Sequence, residues 1–138
     1  MTRVLVPIDG SQQAKDALDH AIPAFPDADI VLLHVIDPID SGFDAGSVVP
    51  GLSEDWYASH KDTAENLFEE ARERTGREFD TAIEVGRPAR TIVEYAKQED
   101  ADHVVIGSHG RSGVARILLG SVAETVVRRS PVPVTVVR

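Results

Sequence analysis

Glycines gather at two places near the end of the chain. Gly107-Ser108-His109-Gly110-Arg111-Ser112-Gly113 closes an apolar run, and Gly120-Ser121 follows shortly after. Glycine at the carboxyl end of a strand lets the backbone turn sharply and approach a ligand closely. Ser121-Val122-Ala123-Glu124 has the spacing of a capping box and predicts a helix that starts at Ser121. The free N–H groups and positive dipole end of such a helix suit phosphate oxygens, and the Ser121 hydroxyl is a further donor. The chemistry these residues point to is polyphosphate binding, with the two glycine clusters closing around the ligand. Arg111 and Arg116 either add positive charge or stay solvated. Ser108 and Ser112 either contact phosphate or carry phosphorylation, or serve only as turn formers. His109 fits a loop-stabilising hydrogen bond better than an acid, and no catalytic role is assigned to it. Neither a Walker A sequence with its Lys nor G-x-G-x-x-G is present.

The elements that must position these residues follow from periodicity. Five short apolar runs, Val4 to Ile8, Ile30 to Ile36, Phe79 to Val85, His103 to Ile106 and Val132 to Val137, alternate with segments of helical period. That alternation predicts an α/β fold, an open parallel sheet with helices on both faces. Ala14, Ala17, Leu18, Ala21, Ile22 and Phe25 form the stripe of the first helix, capped by Ser11. A second helix is predicted from about Glu54 to Arg74, capped by Ser53 and ended by Gly76. A third begins near Pro88. The stretch from Asp37 to Leu52, rich in Gly, Pro, Ser and Asp, reads as one long loop, either a lid or a surface insertion.

Composition narrows the function further. A chain of 138 residues with 42% hydrophobic content suits one domain, spanning 1–138. The segment MTRVLVPIDG lacks a signal peptide's apolar stretch, and no run reaches the ~18 residues of a membrane span, so a cytoplasmic location is expected. There is no cysteine, which excludes thiol catalysis and thiolate metal sites. Histidines at 20, 34, 60, 103 and 109 make no i, i+4 pair, which argues against zinc. A formal charge of -9 without clusters of Lys or Arg argues against nucleic acid as a partner. Lys occurs only at 15, 61 and 97, and this acidic, Arg-skewed balance fits either a high-salt cytoplasm or an ordinary acidic protein.

The spacing Gly107, two residues, Gly110, nine residues, Gly120-Ser121 resembles the G-x2-G-x9-G-[S/T] nucleotide-binding pattern of the universal stress proteins. The surrounding string GSHGRSGVARILLGSVAETVVRRSPVPVTVV is similar to that family's C-terminal signature, and VLVPIDGS to its first strand and turn. The resemblance implies a five-stranded parallel sheet in order 3-2-1-4-5, Rossmann-like, with ATP beside strands one and four. It places Asp9 near the ribose and adenine and the Val35 backbone against adenine. Ligands in open α/β sheets lie where the strand order reverses, which for this order means Pro7-Ile8-Asp9 and Gly107 to Gly110. Asp9 has a second reading, as a residue that only shapes the Asp9-Gly10-Ser11 turn.

The function expected is an ATP-binding stress-response or signalling module. A divalent ion, magnesium or manganese, would ride in on the phosphates. A homodimer through Val132 to Val137 is expected, because that order puts the last strand at a sheet edge, although Pro133 removes one donor from whatever ladder forms. Two alternatives stay open: a slow ATPase or nucleotidyl-transfer enzyme on the same fold, and a nucleotide-free dimeric scaffold. Neither a catalytic base nor an acidic pair for two metals is evident in the sequence.

Overall fold

The computed structural model describes residues 2–39, 54–108 and 119–138. The elements run β1 (Arg3–Pro7), α1 (Gln12–Ala24), β2 (Asp29–Ile36), α2 (Glu54–Thr75), β3 (Asp80–Val85), α3 (Pro88–Gln98), β4 (His103–Gly107), α4 (Ser121–Arg129) and β5 (Val134–Val137). The strands form one sheet in the order β3-β2-β1-β4-β5, every neighbouring pair parallel. This is the α/β architecture expected from the alternation of apolar runs and helical stripes.

Side-chain alternation along the strands divides the core in two. Val4, Val6 and Ile8 of β1 and its exit pack with Ala14, Ala17 and Leu18 of α1 and with Phe68 of α2. Leu5, Val31 and Leu33 face the other way, against Ile92 and Ala96 of α3 and Val126 of α4. Strands covered on both faces explain the near-continuous apolar runs. Phe68, fully buried, anchors α2, whose buried residues Ala64, Phe68 and Ala71 lie from its middle onward. Lys15 pairs with Glu70 at 3.1 Å and Arg74 with Asp19, tying α1 to α2. Exposed pairs of this kind contribute up to ~1 kcal/mol each and serve mainly to register the two helices.

Helix ends follow local chemistry. The Ser11 hydroxyl accepts from the Ala14 amide at 3.1 Å, as its position before the first stripe predicted. Gly76 donates to the Arg72 carbonyl at 2.8 Å and ends α2. Ser53 lies outside the described residues, as does the loop from residue 40 onward. The last strand is shorter than the apolar run: Val132 stands in a turn closed by the Ser130 hydroxyl on the Val132 carbonyl at 2.7 Å, and the strand begins at Val134.

Gly107 is required by packing. A Cβ there would lie 2.7 Å from both the carbonyl carbon and the carbonyl oxygen of Gln13, because the first turn of α1 rests on the end of β4. We expect Gly107→Ala to destabilise the protein by ~1–3 kcal/mol, the usual cost of overpacking against backbone that must move. A urea midpoint equal to that of the parent would refute this placement of α1.

His103 opens β4 at the opposite end of the sheet. Its Nε2 lies 2.7 Å from the Thr135 hydroxyl of β5, and its ring packs on Phe25 at 4.8 Å. Burial lowers its pKa below the ordinary 6.5. The unfolded chain therefore binds the proton more readily, so the contribution of this group is complete above 6.5 and is lost as pH falls towards the folded-state value. Urea titrations of the parent and His103→Gln at descending pH should show the parent losing more stability below neutrality. Parallel losses in the two proteins would show that His103 is not responsible.

Candidate functional site

β1 and β4 are neighbours, but the helices that follow them cover opposite faces of the sheet. At such a reversal of strand order, open α/β sheets place a crevice beyond the carboxyl ends of the strands. Three turns border it.

The first follows β1. Pro7 pairs with Leu33 as the last residue of the ladder, and the Ile8 side chain belongs to the core. The Asp9 Oδ1 accepts from the Ser11 amide at 2.9 Å, so Asp9 does shape the turn, as its second reading held. Gly10 has φ +85, a conformation that favours glycine, and a Cβ at that position would touch Leu67 of α2 at 3.4 Å. The turn is thus held between α1 and α2.

The second turn follows β4. Gly107 is buried beneath α1, and Ser108, 2% exposed, donates its amide to the Val137 carbonyl at 2.8 Å. The Ser108 carbonyl accepts from the Gly120 amide at 2.6 Å. That bond joins the strand end to the start of α4. Ser108 is therefore a structural junction. His109, Gly110, Arg111, Ser112, Gly113 and Arg116 lie outside the described residues.

The third border is the N-terminus of α4, where the capping-box expectation is corrected. The N-cap is Gly120, with φ -70 and ψ 164, and Ser121 is already the first helical residue, so no side chain caps the helix. Glu124 is held by Arg128 at 2.8 Å instead of reaching back. The extended backbone of Gly120 is one that any residue adopts, so a side chain there would cost space and not strain. With no side-chain cap, the first-turn amides of Ser121, Val122 and Ala123 have no hydrogen-bond partner among the described residues, whereas the Ala14 amide of α1 is held by Ser11. The Val122 side chain itself packs into the core beside α3.

Two features on this edge of the sheet escaped the sequence reading. His34 brings Nδ1 to 2.9 Å from the Ile8 carbonyl. Asp37, 6% exposed, accepts from the Ile39 amide at 2.9 Å and pairs with Arg87 at 3.1 Å, fastening the exit of β2 to the start of α3. The only available signal was a polar residue interrupting or ending an apolar run. Val35 lies beside this group, its side chain partly buried against the second core and its backbone on the β1 side of β2. Among the described residues no cluster of three His, Asp or Glu has the geometry of a metal site.

Comparison with known proteins agrees with this architecture. A universal stress protein of Methanocaldococcus jannaschii, MJ0577, is 34% identical over 99% of this chain and 94% of its own length. The solved structure of MJ0577 superposes with a TM-score of 0.84 at 33% identity, covering 99% of this chain and 94% of that one. Universal stress protein YxiE of Bacillus subtilis is 30% identical over 99% of this chain and 98% of its own. A universal stress protein solved in complex with cAMP matches with a TM-score of 0.70 at 28% identity, covering 99% of this chain and 97% of that one. The model of the universal stress protein family matches residues 1–138, and the chain belongs to that family.

Proposed function

We propose that the crevice above β1 and β4 binds ATP and that the protein acts as a nucleotide-responsive stress or signalling module. The observation that carries this reading is the 2.6 Å bond from the Gly120 amide to the Ser108 carbonyl, which sets an uncapped helix N-terminus beside the strand ends at the point of order reversal. The α4 amides and the Ser121 hydroxyl would hold phosphate oxygens, and the second carboxylate oxygen of Asp9 and the Val35 backbone would face the nucleoside. The cAMP complex of a 28% identical relative supports a nucleotide in this fold. Magnesium or manganese would enter on the phosphates. Backbone amides bind ground state and transition state alike, so hydrolysis at such a site is slow at most.

ATP affinity in the low micromolar range, about -8 kcal/mol, is expected by calorimetry. Gly120→Val, which the extended backbone tolerates, should crowd the α4 amides and weaken binding by at least about tenfold, or ~1.4 kcal/mol. Wild-type affinity in that variant would remove α4 from the site.

The same reading includes a homodimer through β5, for which the geometry of Pro133 is favourable. The Pro133 and Val137 carbonyls accept from Val104 and Ser108 of the neighbouring segment, so alternate residues 133, 135 and 137 face β4. The missing N–H of Pro133 lies on that inner side. The outer edge keeps the amides of Val134 and Val136, with half-exposed Val127 on the nearby α4. Light scattering should return twice the chain mass of 14.9 kDa, and a monomer mass at high concentration would exclude the interface.

A further inference from the structure

Regular parallel pairing of β1 with β2 would continue one step past its observed end. The Ile8 amide donates to the Leu33 carbonyl at 2.8 Å, and the next bond of the ladder would run from the Val35 amide to the Ile8 carbonyl. β1 pairs with β2 only as far as Pro7 and Leu33, and the Ile8 carbonyl instead accepts from His34 Nδ1 at 2.9 Å. A carbonyl only accepts, so Nδ1 carries the proton.

The direction of the Val35 amide follows from its neighbours. The Leu33 carbonyl points to β1, where it meets Ile8, and the Ile36 carbonyl points to β3, where it accepts from Gly86 at 2.9 Å. Alternation then places both the N–H and the C=O of Val35 on the β1 side, beyond the place where β1 has turned away at Asp9. One donor and one acceptor from a single residue therefore face the crevice.

We infer that His34 is a positioning and specificity-determining residue: by occupying the Ile8 carbonyl it keeps the Val35 amide out of the sheet and available to a purine edge. The inference rests on the nucleotide reading for its ligand but not for its mechanism. Adenine offers an acceptor at N1 beside a donor at N6, which an adjacent N–H and C=O complete. Guanine offers a donor at N1 and an acceptor at O6, which reverses the pattern and leaves buried polar groups opposed. Replacing the imidazole by an apolar side chain would free the Ile8 carbonyl to recapture the Val35 amide. The base would then lose its donor, while the sheet would gain a bond. A role in stability alone predicts the opposite balance, a weaker sheet with unchanged base preference.

The test uses amide exchange by NMR in nucleotide-free protein, together with ATP and GTP titrations. In the parent, the Val35 amide should exchange much faster than that of Leu33 and become protected when ATP is added. In His34→Val, which suits a strand, Val35 exchange should slow at least about tenfold, and ATP affinity and the preference for ATP over GTP should each fall about tenfold. His34→Gln, whose side-chain amide can donate to Ile8, should restore parental behaviour. Equal protection of Val35 and Leu33 in the nucleotide-free parent, a result that needs no variant to fold, overturns the inference. So does an ATP preference that survives in His34→Val. Slowed exchange in a protein that binds no ATP in its parental form would sink the nucleotide reading while leaving the control of Val35 by His34 supported.

Discussion

Two adjacent parallel strands, β1 and β4, end together and send their chains to opposite faces of the sheet, and most of the local structure answers to that constraint. Backbone groups at the divide have lost their ladder partners and must be satisfied by turns, side chains or a ligand. Asp9 satisfies the Ser11 amide, Ser11 the Ala14 amide, Ser108 the Gly120 amide, and His34 takes the Ile8 carbonyl. The absence of a side chain at Gly107 lets α1 settle close enough for this arrangement to form. What these contacts leave over, among the described residues, is a set of amides at the start of α4 and the backbone of Val35. The polar character of the crevice is thus a residue of sheet topology, refined by a few side chains.

The sheet and its helices were legible because burial on two faces forces continuous apolar runs, while helices between them keep a 3.6-residue stripe. Ser11 was legible as a cap because a turn residue precedes the stripe directly. The start of α4 at Ser121 was legible, but the cap was placed one position late for a local reason: Gly120 and Ser121 are both good cap residues, and periodicity does not decide which of two neighbours takes the extended backbone. Gly107 was read as a place of ligand approach, and on the side where a Cβ would stand the surface that approaches it is the backbone of Gln13. A glycine reports that something comes close, but not what. His34 and Asp37 were missed because their partners, Ile8 and Arg87, lie 26 and 50 residues away and meet them only when the strands are aligned.

A site made mainly of main-chain groups has a different sensitivity to substitution from one made of side chains. Its donors stay in place as long as the fold does, so a change matters where it introduces bulk, as at Gly120, or where it redirects a neighbouring hydrogen bond, as at His34. Side chains of the same edge can vary while the strand ends remain. The extent of the family match, 34% identity to MJ0577 across almost the whole chain with a TM-score of 0.84, is compatible with such tolerance. On the nucleotide reading proposed above, such a site would suit occupancy better than turnover. Amide dipoles fixed by a helix and a sheet offer no proton to transfer, and they do not tighten as charge moves along a phosphoryl bond.

Electrostatics then separates approach from retention. A chain of net charge -9 repels a polyphosphate at long range, and its exposed carboxylates are spread over helices, strands and turns. At physiological ionic strength the screening length is about 8 Å, and it falls to about 3 Å at 1 M salt. The repulsion therefore weakens before the ligand reaches the sheet. Hydrogen bonds from the α4 amides to a phosphate would act at about 3 Å, well inside the 8 Å screening length and no longer than that at 1 M salt, in a contact from which mobile ions are excluded. For the nucleotide role proposed above, added salt relieves the step in which the protein's overall charge opposes the ligand while sparing the step in which its backbone holds it. The acidic surface and an anion site are consequently compatible in one small domain, provided that the site is built from dipoles at close range and not from a field of basic side chains.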